Sequence, residues 1–255
     1  MSVVGVVHPG EMGAAVGGCL WQAGHTVLWA SAGRSAATAD RAAAAGLADV
    51  GTVAALAAKS DVVLSICPPH AAVATAREFA AFGGIYVDAN AIAPDTVRTV
   101  AASVGGTPVD GGIIGYPPDG SGGTRLYLSG AESAAVAALF AGTDLDARVL
   151  PDAGIGVASA LKISYAAWTK GSQALLLGVR ELARAAQVED VLLAEWELSQ
   201  PDLAGRSARA AAAADAKGWR WIGEMEEIAT TFAAHELPAG FHRAAAEIYR
   251  QWPRT

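Results

Sequence analysis

The stretch Val3-Val4-Gly5-Val6-Val7-His8-Pro9-Gly10-Glu11-Met12-Gly13 leads through a small, apolar run to Ala23, then Gly24-His25-Thr26-Val27-Leu28-Trp29. Val3 to Val7 is a short β-branched run, which predicts a strand. A turn follows over Pro9 to Gly13. From Gly13 to Ala23 the composition predicts a helix, with Gly24 as its stop. His25 to Trp29 is a second apolar strand. Strand, glycine-rich turn, helix and strand in this order open a dinucleotide-binding fold. Glycines there let backbone N–H groups approach a pyrophosphate, with the positive end of the helix dipole behind them. The pattern departs from G-x-G-x-x-G in one place: His8 stands where the first glycine belongs, leaving Gly10 and Gly13. His8, Pro9, Gly10, Glu11, Met12 and Gly13 are therefore candidate cofactor-binding residues.

The segment after the second strand bears on which nucleotide is bound. An NAD site places Asp or Glu about 20 residues beyond the glycines, on the ribose 2′-hydroxyl. Here the chain reads Ala30-Ser31-Ala32-Gly33-Arg34-Ser35, with no acid. Ser31, Arg34 and Ser35 suit a 2′-phosphate, and the alternative is an ordinary solvated loop arginine. The expectation is NADP (NADPH).

Further along, strands and helices alternate. Residues 34–58 predict helix in two pieces, split around Gly46 to Gly51. Asp61 to Cys67 is a third strand closed by Pro68-Pro69, and Gly84 to Ala89 a fourth, with a helix over Ala71–Ala81 between them. Pro94 marks the next helix start after Asn90. Pro108 to Gly115 and Leu126 to Gly130 are further strands, and Glu132 to Ala141 a helix. This alternation predicts an α/β, doubly wound Rossmann sheet over residues 1–151. In such a sheet the strand ends face the cofactor, which adds Ile66, Cys67, Pro68 and Asn90 to the candidates.

Residues 152–255 carry only helical patterns. A long helix is predicted from Gly154 to Gln187, apolar on nearly every face, so that neighbours must bury it on several sides. It is the interdomain helix joining the sheet to an all-helical domain. Lys162 and Lys170 interrupt its apolar wall. Either they snorkel, with the ammonium in water, or one faces a cleft as an acid or base. Val191 to Leu198 predicts a short helix, Ser207 to Lys217 another stopped by Gly218, Trp219 to Ala234 a third and Phe241 to Tyr249 the last. The acidic run Glu224, Glu226 and Glu227 is either a solvated face or, through Glu224 and Glu227 on similar helix sides, a reach toward the cleft of a partner subunit.

Composition narrows the class. Of 255 residues 53% are hydrophobic and 17% charged, which opposes disorder, and the net charge of −7 without a basic block opposes nucleic acid as a partner. Met12 to Gly33 carries no formal charge but is broken by glycines, so no membrane span is expected. The isolated Cys19 and Cys67 match neither a disulfide framework nor a metal-ligand spacing, and point to a reducing cytoplasm.

With these pieces in order the sequence resembles the β-hydroxyacid dehydrogenases, the group of 3-hydroxyisobutyrate dehydrogenase, related to 6-phosphogluconate dehydrogenase and the imine reductases. Gly10-Glu11-Met12-Gly13 is similar to the family's glycine turn, and Asp88 to Pro94 to its segment under the nicotinamide. Asp110-Gly111-Gly112-Ile113-Ile114-Gly115 stands where the family has D-A-P-V-S-G. Gly154 to Lys162 is similar to the glycine-rich approach to the interdomain helix that ends in the catalytic lysine. The resemblance implies that Lys162 is the general acid/base while hydride passes to or from nicotinamide C4. It also implies substrate contacts around Gly111, Gly112, Ile114 and Ala166 and a homodimer built through the helical half; Tyr165 and Glu227 are further substrate-binding candidates. Two positions depart from the family: Ala166 replaces an asparagine four residues after the lysine, and Ile114 replaces the serine that holds a substrate carboxylate. The sequence thus predicts a cytoplasmic, NADP-dependent oxidoreductase without a metal, acting on a small hydroxy-acid or carbonyl substrate. An imine reductase-like enzyme and a non-catalytic NADP-binding sensor are the rival readings.

Overall fold

The computed structural model describes residues 1–252. β1 (Val3–Val6), α1 (Glu11–Gln22), β2 (Thr26–Trp29), α2 (Ala36–Ala44), β3 (Ala48–Asp49), α3 (Val53–Lys59) and β4 (Val62–Ser65) come first. A single 3-10 turn, Pro69–Ala71, leads into α4 (Ala72–Arg77), β5 (Ile85–Asp88), α5 (Pro94–Ala101) and β6 (Thr107–Ile114). β7 (Thr124–Ser129), α6 (Ser133–Ala138) and β8 (Leu145–Val149) complete the sheet. The helices α7 (Val157–Ala185), α8 (Glu189–Ser199), α9 (Leu203–Ala234) and α10 (Gly240–Tyr249) follow.

The strand order is β3-β2-β1-β4-β5-β6-β7-β8, parallel except where β6 meets β7. The winding reverses between β1 and β4, which makes their carboxyl ends the switch point at which such sheets bind ligands. Both faces are covered, because each strand sends alternate side chains to opposite cores. Val4, Val6, Val27, Trp29, Val62 and Leu64 enter one cluster, while Val7, Leu28 and Val63 enter the other with Phe79 and Tyr86.

The chain divides into two compact units after Lys162, inside α7, whereas the sequence placed the boundary at Pro151. In the second unit Ile163, Ala166, Leu177, Met225, Ile228 and Tyr249 form a core, with Trp221 edge-on to Tyr249 at 5.1 Å.

Three expectations are corrected. α1 begins at Glu11, directly after Gly10, and not at Gly13. The short strands β3 and β8, and the antiparallel β6–β7 hairpin, were not foreseen. Gly218 ends no helix: α9 runs unbroken through it, and the glycine is buried where an added Cβ would lie 3.3 Å from Trp252. One face of α7 is open in the single chain. Leu161, Tyr165, Trp168, Leu175 and Leu182 are exposed along it, Trp168 and Leu182 at 69% each.

Candidate functional site

At the switch point, Gly10 caps α1 without any side-chain hydrogen bond, and its N–H bonds the His8 carbonyl at 2.8 Å. A Cβ at Gly13 would sit 2.2 Å from that same carbonyl, so only glycine lets the helix start this close to β1. Space is open around Gly10, with nothing within 4 Å of an added Cβ. His8 and Met12 are half-buried, Pro9 is buried, and Glu11 is exposed in the first turn. Burial, seconded by the Arg34 guanidinium, lowers the His8 pKa to about 4, so its ring is neutral at pH 7. His8 Nδ1 and Arg34 Nε are both buried without a hydrogen-bond partner. The Arg34 Nε–H calls for an acceptor from outside the chain, and His8 Nδ1 for an acceptor or a donor according to its tautomer. A helix N-terminus, an open glycine turn and these two nitrogens together fit a dinucleotide's phosphates.

In the loop after β2, Ser35 is committed locally: its hydroxyl accepts from Thr38 N–H at 3.3 Å as the cap of α2. Ser31 N–H donates to Asp49 Oδ1 at 3.2 Å, and Gly51 N–H to the same oxygen at 2.8 Å. A hydrogen bond from the Ser31 side chain, then the one from Gly51 N–H, holds the Asp49 pKa below the usual carboxylate value. β3 thus brings an acid to a loop whose own sequence has none. The period-2 signal of a two-residue strand was too short to reveal it.

The ends of β4 and β5 are joined by a polar net. Asn90 Nδ2 donates to Asp88 Oδ2 at 2.7 Å and to Ser65 Oγ at 3.3 Å, while its Oδ1 accepts from Cys67 N–H at 2.5 Å. Asn90 N–H donates to Asp88 Oδ1 at 3.1 Å. These bonds fix the Ile66-Cys67-Pro68 loop against the loop after β5. Burial pushes the Cys67 thiol up to about 11, which keeps it protonated and a poor nucleophile. Burial also pushes Asp88 up to about 7, with a smaller push from Asp110. Asp88 carries no role in the sequence reading; a lone acid ending an apolar strand beside Asn90 was its signal.

β6 carries the last part of the first unit's site. Asp88 pairs with Asp110 in register, so Gly111 and Gly112 project beyond the end of β5, level with Ala89 and Asn90. Gly111 and Gly112 face opposite ways. A Cβ at Gly111 would meet the Asp88 carbonyl and Leu126, whereas one at Gly112 would lie 2.7 Å from the Ala158 carbonyl and 3.1 Å from the Lys162 Cβ. The half-buried Lys162 therefore rises from the first turns of α7 directly against Gly112. Ile114 is buried at the strand end.

The remaining predicted residues belong to the second unit. Tyr165 is exposed, Ala166 is packed into the helical core, and Glu227 is half-buried. Lys170 pairs with Glu224 and lies 5.8 Å from the Trp221 ring centre, so this lysine is engaged with its own unit rather than reaching for water. Among the described residues there is no group of three or more His, Cys, Asp or Glu fit to hold a metal, and no helix long and apolar enough to cross a membrane.

The family described as the NAD binding domain of 6-phosphogluconate dehydrogenase matches residues 3–140, and a domain of unknown function (DUF1932) matches residues 183–252. Among curated proteins none matches. Among solved structures, the conserved protein MTH1747 of unknown function, described as similar to 3-hydroxyacid dehydrogenases, is 26% identical. The alignment covers 98% of this chain and 96% of that one, with a TM-score of 0.72. The 3-hydroxyisobutyrate dehydrogenase of Mycobacterium tuberculosis, solved with L-serine, is 18% identical over 98% and 93% of the two chains, at a TM-score of 0.75. A reductive aminase from Aspergillus terreus, in complex with NADPH and ethyl levulinate, is 22% identical over 98% and 93%, at a TM-score of 0.60. At these last two identities the likeness is one of fold.

Proposed function

Because the chain belongs to the β-hydroxyacid dehydrogenase-like family of NAD(P)-dependent oxidoreductases, through the NAD-binding domain of 6-phosphogluconate dehydrogenase, we propose that it interconverts a small hydroxy acid and its carbonyl with NADP(H). Lys162 is the general acid/base of this reading. The observation that carries it is the seat of Lys162 against Gly112, at the carboxyl edge of the sheet whose switch point holds the glycine turn. A nicotinamide cofactor, when bound, supplies or takes the hydride. Gly10 and the first turn of α1 would hold its pyrophosphate, and Arg34 its 2′-phosphate, because Ser31 is already bonded to Asp49. Cys67, Pro68 and Asn90, locked by the Ser65–Asp88 net, would border the nicotinamide end. In the reducing direction the Lys162 ammonium polarises the carbonyl oxygen and hands it a proton; in the oxidising direction the neutral amine takes the alcohol proton. Ile114 offers no hydroxyl to a substrate carboxylate, which favours a substrate with a larger apolar part or a weaker acid.

The exposed apolar residues of α7 support a homodimer. Leu161, Trp168, Leu175 and Leu182 recur at every seventh position with Tyr165 and Val179 between them, a seam suited to packing against another helix. A second copy of the chain is the proposed cover, as the all-apolar helix and the family resemblance both led one to expect.

The test pairs cofactor binding with turnover. NADPH binding is followed by fluorescence, then its oxidation with succinate semialdehyde and a cyclic imine, and NADP reduction with 3-hydroxyisobutyrate. The expected result is turnover of a carbonyl or hydroxy acid and a loss of at least about 10²-fold in Lys162→Ala. Binding without turnover across the panel, or a fully active Lys162→Ala protein, would overturn the reading.

A further inference from the structure

Asp110 is fully buried, and its carboxylate is surrounded by donors from two other elements. Its Oδ2 accepts from Gly156 N–H at 2.9 Å, Ser159 N–H at 3.0 Å and Ser129 Oγ–H at 3.1 Å, and its Oδ1 from Ser159 Oγ–H at 2.6 Å. Ser129 Oγ in turn accepts from Ala158 N–H at 3.1 Å. The first N–H groups of a helix have no partner within it and need acceptors. At the start of α7 the Gly156 and Ser159 N–H groups are met by this one carboxylate, and the Ala158 N–H by the serine it holds. Val157 N–H finds the Gly154 carbonyl at 3.4 Å, and Ala160 N–H starts the helical ladder on Gly156. An ionised carboxylate accepts without donating, so it matches four donors with no clash, and its charge suits the positive end of the helix dipole. Gly156 makes the approach possible, since its φ of +103° is one that side chains rarely allow.

Two residues along the same face of β6, Gly112 removes the side chain that would hold α7 away. Strand β6 thus grips the first turns of α7 twice, by charge at Asp110 and by close approach at Gly112. Lys162 follows Ser159 by one turn. We infer that Asp110 is a positioning residue for the reaction: its carboxylate clamps the start of α7 onto β6 and so fixes the Lys162 side chain at the carboxyl edge of the sheet. This rests on Lys162 being the acid/base, as proposed above. Asp110 itself touches neither substrate nor cofactor in this role.

The experiment uses the full chain with NADPH and succinate semialdehyde, comparing Asp110→Ala, Asp110→Asn and Lys162→Ala. Hydrogen exchange at amides 156–160 reports the clamp directly, and kcat against KM reports its effect on the lysine. Asp110→Ala leaves four donors unmet, so exchange there should rise roughly 100-fold, kcat should fall about 100-fold, and KM for NADPH should stay within about twofold. Asparagine keeps the shape: its oxygen takes the three donors of Oδ2, and its amide donates to a rotated Ser159 hydroxyl. Asp110→Asn should therefore restore kcat to within about tenfold of the parent. Should Asp110→Ala fail to fold, Ser129→Ala and Ser159→Ala remove parts of the same net, and each should raise exchange at 156–160 and lower kcat without moving KM for NADPH. Unchanged exchange in these variants, an unchanged kcat despite faster exchange, or an Asp110→Asn protein as impaired as Asp110→Ala would overturn the proposal. A fully active Lys162→Ala protein would overturn the reading beneath it, and the exchange result then tells the two failures apart.

Discussion

Replacing Gly112 by alanine adds one methyl group at the tightest point between sheet and helix. That carbon would lie 2.7 Å from the Ala158 carbonyl oxygen and 3.1 Å from the Lys162 Cβ. Carbon–oxygen contacts begin at about 3.3 Å, so the first turn of α7 must retreat by roughly half an ångström or β6 must bend. The obstacle is backbone rather than the end of a flexible side chain, and Asp110 holds the same turn from two residues away, which leaves little room for relief. Overpacking of this kind costs about 1–3 kcal/mol. Acid/base groups are held to within about 0.5 Å of their working position, and displacements near 1 Å cost on the order of 10²-fold in rate. Gly112→Ala is thus expected to lower the urea midpoint modestly and kcat by about ten- to a hundredfold, with KM for NADPH nearly unchanged. Gly111→Ala is the matched control: its Cβ would meet the Asp88 carbonyl at 3.1 Å, on the face turned away from Lys162. It should destabilise without a comparable loss of kcat. A Gly112→Ala protein with parental kcat, alongside an inactive Lys162→Ala, would show that the seat of α7 on β6 does not set the lysine's position.

Arg34→Ala should weaken NADPH binding well beyond its effect on NADH, measured by fluorescence titration of each; equal losses would remove the 2′-phosphate from the argument. Asp88 gives a pH signature. Burial raises it from 3.8 to about 7, so between those values the folded chain keeps a proton that the unfolded chain releases. Its effect on stability therefore falls as pH rises through that window and levels off above about 7. Asp88→Asn should abolish this slope in urea midpoints taken from pH 5 to 8, and parallel curves for parent and variant would refute the assignment. Trp168→Glu combined with Leu175→Glu should turn a dimer into a monomer by light scattering. A parent that is already monomeric at micromolar concentration would leave the α7 seam without the proposed partner.

The parts of this chain that local chemistry decides were the parts its sequence displayed. β-branched runs bounded by glycine and proline marked most of the strands, and the turn at Gly10 and Gly13 marked the switch point, because each signal spans only a few residues. Edge strands β3 and β8 escaped for an equally physical reason. Ala48-Asp49 is two residues long, and Leu145-Asp146-Ala147-Arg148-Val149 buries only Leu145 fully, so neither carries the apolar density that distinguishes strand from loop.

Three glycines show where a single chain position stops being informative. Gly13, Gly112 and Gly218 each face a close neighbour: the His8 carbonyl, the Ala158 carbonyl and Trp252 respectively. The first neighbour is five residues away and could be guessed from the turn. The others lie 46 and 34 residues off, and without them Gly218 reads as a helix stop by its composition alone. The same distance hid the clamp on α7. Asp110 reaches Gly156 and Ser159 across 46 and 49 residues, so nothing near Asp110 in sequence announces a helix cap. A cap supplied from a strand also explains why α7 can open with Gly156 and Val157 instead of the serine, threonine or aspartate that helices usually recruit from their own chain. The helix has delegated its first turn to the sheet, and on the proposed reading that dependence is what ties the reacting amine to the cofactor's edge of the fold.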